Sequence, residues 1–265
     1  MLNKENVMMD FKEIELALSP VLKKKQEACQ VHSLFNYQYP IGIGVSNKLH
    51  VFLEQSEGYQ YKFTVTLPME IQEGTKAAFS VDKLEDCCCI ITPGCLKESN
   101  FYATILHEFV HCYQDRTCEQ DLKGKLEIYQ RAFSSHNYMW EINHAFPYTH
   151  PDYIKFFRNI SRLDYHKTME ALSKLKSTLE VIHYEYMIWQ IWKEGFARFI
   201  ENKILRMNRI VENDGGNEPE DPNRTSLYFT GDRIWRQLEL QDANLIEDIE
   251  KAFYVLKGNF RLTTE

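Results

Sequence analysis

Residues 105 to 114 read ILHEFVHCYQ and place His107, Glu108 and His111 in the order His-Glu-x-x-His. On an α-helix, side chains four positions apart share a face and lie about 6 Å apart along the axis. Two imidazoles so placed can bind one metal ion at about 2.0–2.1 Å, and a glutamate between them can act as base on a water activated there. Leu106, Phe109, Val110 and Tyr113 form the opposite, apolar face. The helix is therefore expected to bury its back and turn His107, Glu108 and His111 to a cleft. The alternative for the same residues is a pair of core histidines with an exposed glutamate, each buried imidazole then needing its own hydrogen-bond partner. A third ligand decides between the two.

Two spacings for that ligand fail. A metzincin continuation needs glycine and histidine where Gln114 and Thr117 stand, and a thermolysin-like glutamate about twenty residues on meets Gln130 and Arg131. Further along, residues 189 to 203 read WQIWKEGFARFIENK. Trp192-Lys193-Glu194-Gly195-Phe196-Ala197 resembles the Glu-Gly-x-Ala segment of the second metal-binding helix of gluzincin peptidases. The resemblance implies one Zn2+ per chain held by His107, His111 and Glu194, with Glu108 as general base. Gly195 and Ala197 are small enough for this helix to approach the first closely. SLYFTGDRIWRQLE, 226 to 239, is similar to the Tyr-x-x-Gly segment that often follows, which implies Tyr228 as a phenol donor to the oxyanion. Arg198 and Glu201, one and two turns past Glu194, are candidates to support it. Without the resemblance, Glu194 reads as a solvent-facing residue of an amphipathic helix, Tyr228 as a core tyrosine, and Arg198 with Glu201 as a surface ion pair.

The elements that must position these residues change character along the chain. Residues 1 to 35 look helical. LHVFLEQ, YKFTVTLP, KAAFSV and CCCIITP are short runs rich in β-branched and aromatic residues, separated by turn signals such as Ser56-Glu57-Gly58 and Glu73-Gly74. They predict four strands in a small, mostly antiparallel sheet. After Pro93-Gly94 the period is helical, with spans expected over 101–114 and near 121–135, 152–178, 180–208 and 233–256. The segment 212–225 is acidic, holds two glycines and two prolines, and reads as a flexible loop. Strands first and helices after predict an α+β, zincin-like fold. It is expected as a single catalytic domain, with a sheet subdomain over 1–118 and a helical subdomain over 119–265. The long stretch between His111 and Glu194 departs from the compact gluzincin spacing and is expected to wall the cleft with an extra helical hairpin.

Composition narrows the function class. The chain has 265 residues, 44% hydrophobic and 26% charged, with a net charge of −7, which argues against nucleic acid as the main partner. No stretch has the length of a membrane-spanning helix, and the acidic N-terminus is unlike a signal peptide, so a cytoplasmic protein is expected. Seven cysteines, an odd number in a chain of this size, read as thiols. Cys87, Cys88 and Cys89 on a strand point alternately to opposite faces, which suits buried thiols better than a metal site. The reading is a metallopeptidase acting on a peptide or protein, which in this family is bound as an added strand near 77–81 or 87–91. The alternatives are a regulatory protease like the ImmA/IrrE group and a binding protein that keeps the fold without turnover.

Overall fold

The computed structural model describes residues 10 to 258, apart from Asp82 and Pro219. The chain divides into two compact units at Cys112–Tyr113, inside the helix that carries the histidine pair. The helix expected at the N-terminus runs over Phe11–Ala28 (α1), followed by a short 3-10 turn at Ser33–Asn36; what was expected of residues 1–9 lies outside the described residues. Asp10 caps α1 by accepting from the backbone of Lys12 and Glu13, and Ile14, Leu18, Val21 and Ala28 bury one stripe of it. Pro20 leaves the Leu16 carbonyl without its helical donor, and the Ser19 hydroxyl supplies one at 2.8 Å.

Five strands follow rather than four: β1 (Ile41–Val45), β2 (Lys48–Gln55), β3 (Gly58–Thr66), β4 (Lys76–Ser80) and β5 (Cys87–Ile91). Their order is β3-β2-β1-β5-β4, with β1 and β5 parallel and the other pairs antiparallel. The additional strand, IGIGV, is the central one. Its glycines weaken it as a strand signal, yet each makes room for a neighbour: a Cβ on Gly42 would lie 2.6 Å from Leu49, and one on Gly44 2.5 Å from Ile71. On that side of the sheet Leu49, Val51, Val65, Val81, Cys88 and Ile90 form a buried cluster. The opposite side meets the helix Phe101–Gln114 (α2), where Phe109 packs on Tyr39 and Tyr59 and Cys112 meets Cys87. Cys88 thus faces one core and its neighbours the other, all five residues of β5 are buried, and all seven cysteines are free thiols.

The second unit is helical. A π-helical turn at Asp115–Glu119 leads from α2 into Gln120–Gly124 (α3), Glu127–Ser134 (α4) and Trp140–Asn143 (α5). The span expected over 152–178 is two helices, Pro151–Asn159 (α6) and Tyr165–Thr178 (α7), because Asp164 caps a new start by accepting from Lys167. Val181–Met207 (α8) is the long central helix, buried on nearly all sides from Tyr184 to Ile200 apart from Lys193 and Glu194. After a loop comes Arg224–Gln241 (α9), which begins nine residues before the expected 233 because Asn223 caps it there. Asn244–Glu247 (α10) and Ile249–Leu256 (α11) close the unit. Among the described residues no helix is long and apolar enough to cross a membrane.

Contacts between α8 and α9 advance together along both helices: Gly195 with Gly231, Phe199 with Trp235, and Lys203 with Glu239. The two therefore run parallel, touching backbone to backbone at the glycines. A Cβ on Gly195 would lie 2.5 Å from the Gly231 Cα, so the small residue after Glu194 serves contact with α9. The expected role in approaching the histidine helix falls away for this residue.

Candidate metal centre

The histidine helix has the length its sequence implies. Leu106, Phe109 and Val110 are fully buried, as the apolar back requires, while His107 is half-buried and His111 and Glu108 are buried. The two imidazole rings lie 5.0 Å apart and nearly perpendicular, as four-residue spacing on a helix permits. Beneath them, burial raises the Cys89 thiol well above its ordinary value, and the Glu108 charge raises it further, which places that carboxylate close to β5.

His107, His111 and Glu194 each offer one ligand atom, and these atoms all lie within 4.8 Å of one another. Two imidazole nitrogens and one carboxylate oxygen form a donor set that zinc accepts, and a tetrahedral ion with bonds near 2.0–2.1 Å holds its ligand atoms about 3.3–3.4 Å apart. The three residues could hold a metal ion; Cys87, Cys88, Cys89 and Cys95 form no such group among the described residues.

What steadies the arrangement was not read from the sequence. Gln114, fully buried at the end of α2, donates from Nε2 to the carbonyls of Trp192 at 3.4 Å and Lys193 at 3.2 Å. One helical turn past His111 is thereby tied to the turn of α8 that begins Glu194. The residue that excludes a metzincin pattern is a structural key. Lys193 is fixed in turn, its ammonium 2.8 Å from both Glu119 and Glu141. Burial opposes its charge, but the two carboxylates outweigh that and hold its pKa well above the ordinary value. Glu141 would likewise be raised by burial, and Lys193 reverses the shift and keeps it low.

Arg198 and Glu201, read either as supports for Glu194 or as a surface pair, anchor the loop that follows α8. Arg198 is buried, donates to the Asn213 and Gly215 carbonyls at 3.1 Å each, and lies 3.5 Å from Glu201. Glu201 accepts from the Asn213 side chain at 2.9 Å, and Asn202 bonds the Asn213 backbone N–H at 2.7 Å. The start of the acidic loop is thus pinned to α8. Gly216, at φ +92°, passes so close to Thr225 that a side chain would collide with its carbonyl. Tyr228 is half-buried on α9, with two guanidinium groups near its ring, Arg198 at 5.9 Å and Arg224 at 5.4 Å.

Comparison with protein-family models, with curated proteins and with solved structures finds no match to this chain. The site therefore has to be read from its own chemistry. Sequence periodicity finds the histidine pair because the spacing is local. Gln114, Lys193 and Arg224 carry no such signal; their roles depend on which elements meet.

Proposed function

We propose that the chain is a zinc-dependent metallopeptidase of the gluzincin type with a zincin-like fold. The observation that carries the reading is the meeting of the Glu194 carboxylate with the His107 and His111 imidazoles, with Glu108 one residue from the first of them. Zinc, when bound by these three residues, supplies a Lewis acid that polarises a carbonyl and brings the pKa of a water near 7.

The remaining work falls to side chains of the protein. Glu108 takes a proton from the attacking water and passes it to the leaving amine. It stands beside His107 on a helix that packs on Tyr39 through the neighbouring Phe109. Tyr228 offers its hydroxyl to the oxygen that gains charge, and two guanidinium groups at its ring favour that charge. Of the strands considered for peptide addition, β5 is paired on both sides and is excluded, whereas β4 is, among the described residues, an edge of the sheet. The other edge, β3, has its Tyr61 backbone N–H taken by Glu15 at 2.8 Å.

The test is the metal content of purified protein by elemental mass spectrometry, alongside His107→Ala and Glu194→Ala. About one zinc per chain, lost or much weakened in both variants, is expected, and Glu108→Gln is expected to keep zinc while losing peptide cleavage by at least about a hundredfold. Absence of zinc after supply at micromolar concentration refutes the reading and leaves the histidines as core residues of a binding protein.

A further inference from the structure

Of the two guanidinium groups at Tyr228, Arg224 is the one whose charge has no counterpart among the described residues. Arg198 pairs with Glu201, Arg206 with Glu212, Arg233 with Asp214, and Arg236 with Asp232 and Glu212. Arg224 makes no hydrogen bond or ion pair among the described residues, though it is half-buried and its backbone is fixed by the Asn223 cap beside it. Its guanidinium lies over the Tyr228 ring and within electrostatic reach of Tyr148 and Tyr186. Burial raises both of those phenols, and the Arg224 charge works against the rise, which places it among them.

A guanidinium held against aromatic rings is partly stripped of water and keeps its planar fork of donors for a bidentate partner. Its neighbours are phenols, which can add a hydrogen bond to an anion but cannot neutralise the charge. In a chain of net charge −7, this local excess of positive charge selects an anionic group. The packing of α8 on α9 sets its range. Gly231 meets Gly195, the residue after Glu194, and Arg224 lies seven positions earlier on α9, about 10 Å along the helix. That span corresponds to about two or three residues of extended peptide.

We propose that Arg224 is a carboxylate-binding subsite that selects peptides bearing a carboxylate two or three residues from the bond cleaved. The inference rests on the metallopeptidase reading for the identity of its ligand as a peptide. Two sources offer the same group: the C-terminal carboxylate of a short peptide and an acidic side chain.

The experiment is calorimetric titration of zinc-supplied, full-length Glu108→Gln protein with three N-acetylated alanine pentapeptides. One has a free C-terminus, one a C-terminal amide, and one the amide with a single glutamate. At least one carboxylate peptide is expected to bind about tenfold more tightly than the uncharged amide. In Arg224→Gln that preference should shrink to within about twofold, and Arg224→Lys should restore part of it. Which carboxylate peptide gains identifies the source. Equal binding of charged and uncharged peptides, no binding of any, or a preference that survives in a folded Arg224→Gln protein overturns the proposal. Metal content separates the two readings: an Arg224-dependent preference in a protein that takes no zinc keeps the subsite and removes the peptidase, and the converse removes only the subsite.

Discussion

At the scale of single residues, the charges nearest the metal centre are arranged in compensated groups. Lys193 is 14% exposed and stands between Glu119 and Glu141, so removing its ammonium leaves two enclosed carboxylates without their cation. Lys193→Met is therefore expected to destabilise the protein by about 3 kcal/mol at pH 7, the penalty typical of breaking an enclosed ion pair from one side. The deficit should narrow as pH falls below the ordinary carboxylate range. The folded pKa of Glu141 is held below its ordinary value, so the stability it contributes is present at neutral pH and fades as pH falls through that lowered value. Urea unfolding at pH 7 and pH 3 measures both effects; an equal deficit at the two values would show that lost packing, not charge, is responsible. The same residue bears on the site, since its carbonyl accepts from Gln114.

At the scale of elements, the contact of α8 with α9 is the least tolerant. A Cβ on Gly231 would stand 2.4 Å from the Gly195 Cα and 2.8 Å from the Ile191 carbonyl oxygen, both backbone atoms of a largely buried stretch of α8. Such overpacking costs about 1–3 kcal/mol, and alanine's better helix propensity returns up to about 1 kcal/mol. Gly231→Ala is thus expected to be destabilising by about 2 kcal/mol in denaturant unfolding, since backbone cannot rotate away as a side chain does. Gly124→Ala is the control: nothing lies within 4 Å of its added Cβ, and it should be neutral or stabilising by up to about 1 kcal/mol. Comparable losses for both would place the effect in glycine replacement generally and not in the helix contact. Because Gly195 follows Glu194 directly, displacement of α8 at this contact should also weaken any metal binding at His107, His111 and Glu194.

At the scale of the whole molecule, acid stability has an identifiable contributor. His144 and His183 share a hydrogen bond at 2.9 Å, packed against Tyr186 and Phe146. Burial first, and the neighbouring imidazole second, push His144 down to about 4. A histidine depressed in the folded state contributes stability above its unfolded pKa near 6.5 and loses it as pH falls toward 4, because the unfolded chain binds the proton first. Folding stability should therefore decline between pH 6.5 and 4, and His144→Gln should flatten that slope by up to about one proton. Melting temperatures across this range test it, and an unchanged slope in the variant would exclude His144 as the source.

Local spacing carried much of this molecule. His-Glu-x-x-His, the apolar back of α2 and the alternation of Cys87, Cys88 and Cys89 are legible because each depends only on a helical or extended repeat. The limits of α8 were legible as well, from an unbroken apolar span ending before a polar loop. β1 was not, since its glycines speak against a strand until Leu49 and Ile71 are seen to need the space. Nor were the breaks at Asp164 and before α9, where capping side chains outweigh a continuing helical pattern. The Glu-Gly-Phe-Ala segment named Glu194 as a ligand, but only the tertiary structure brings its carboxylate to the histidine pair, keys α2 to α8 through Gln114, and sets Arg224 over the Tyr228 ring. Those relations join residues far apart in the chain, and no periodicity records which distant elements will pack together.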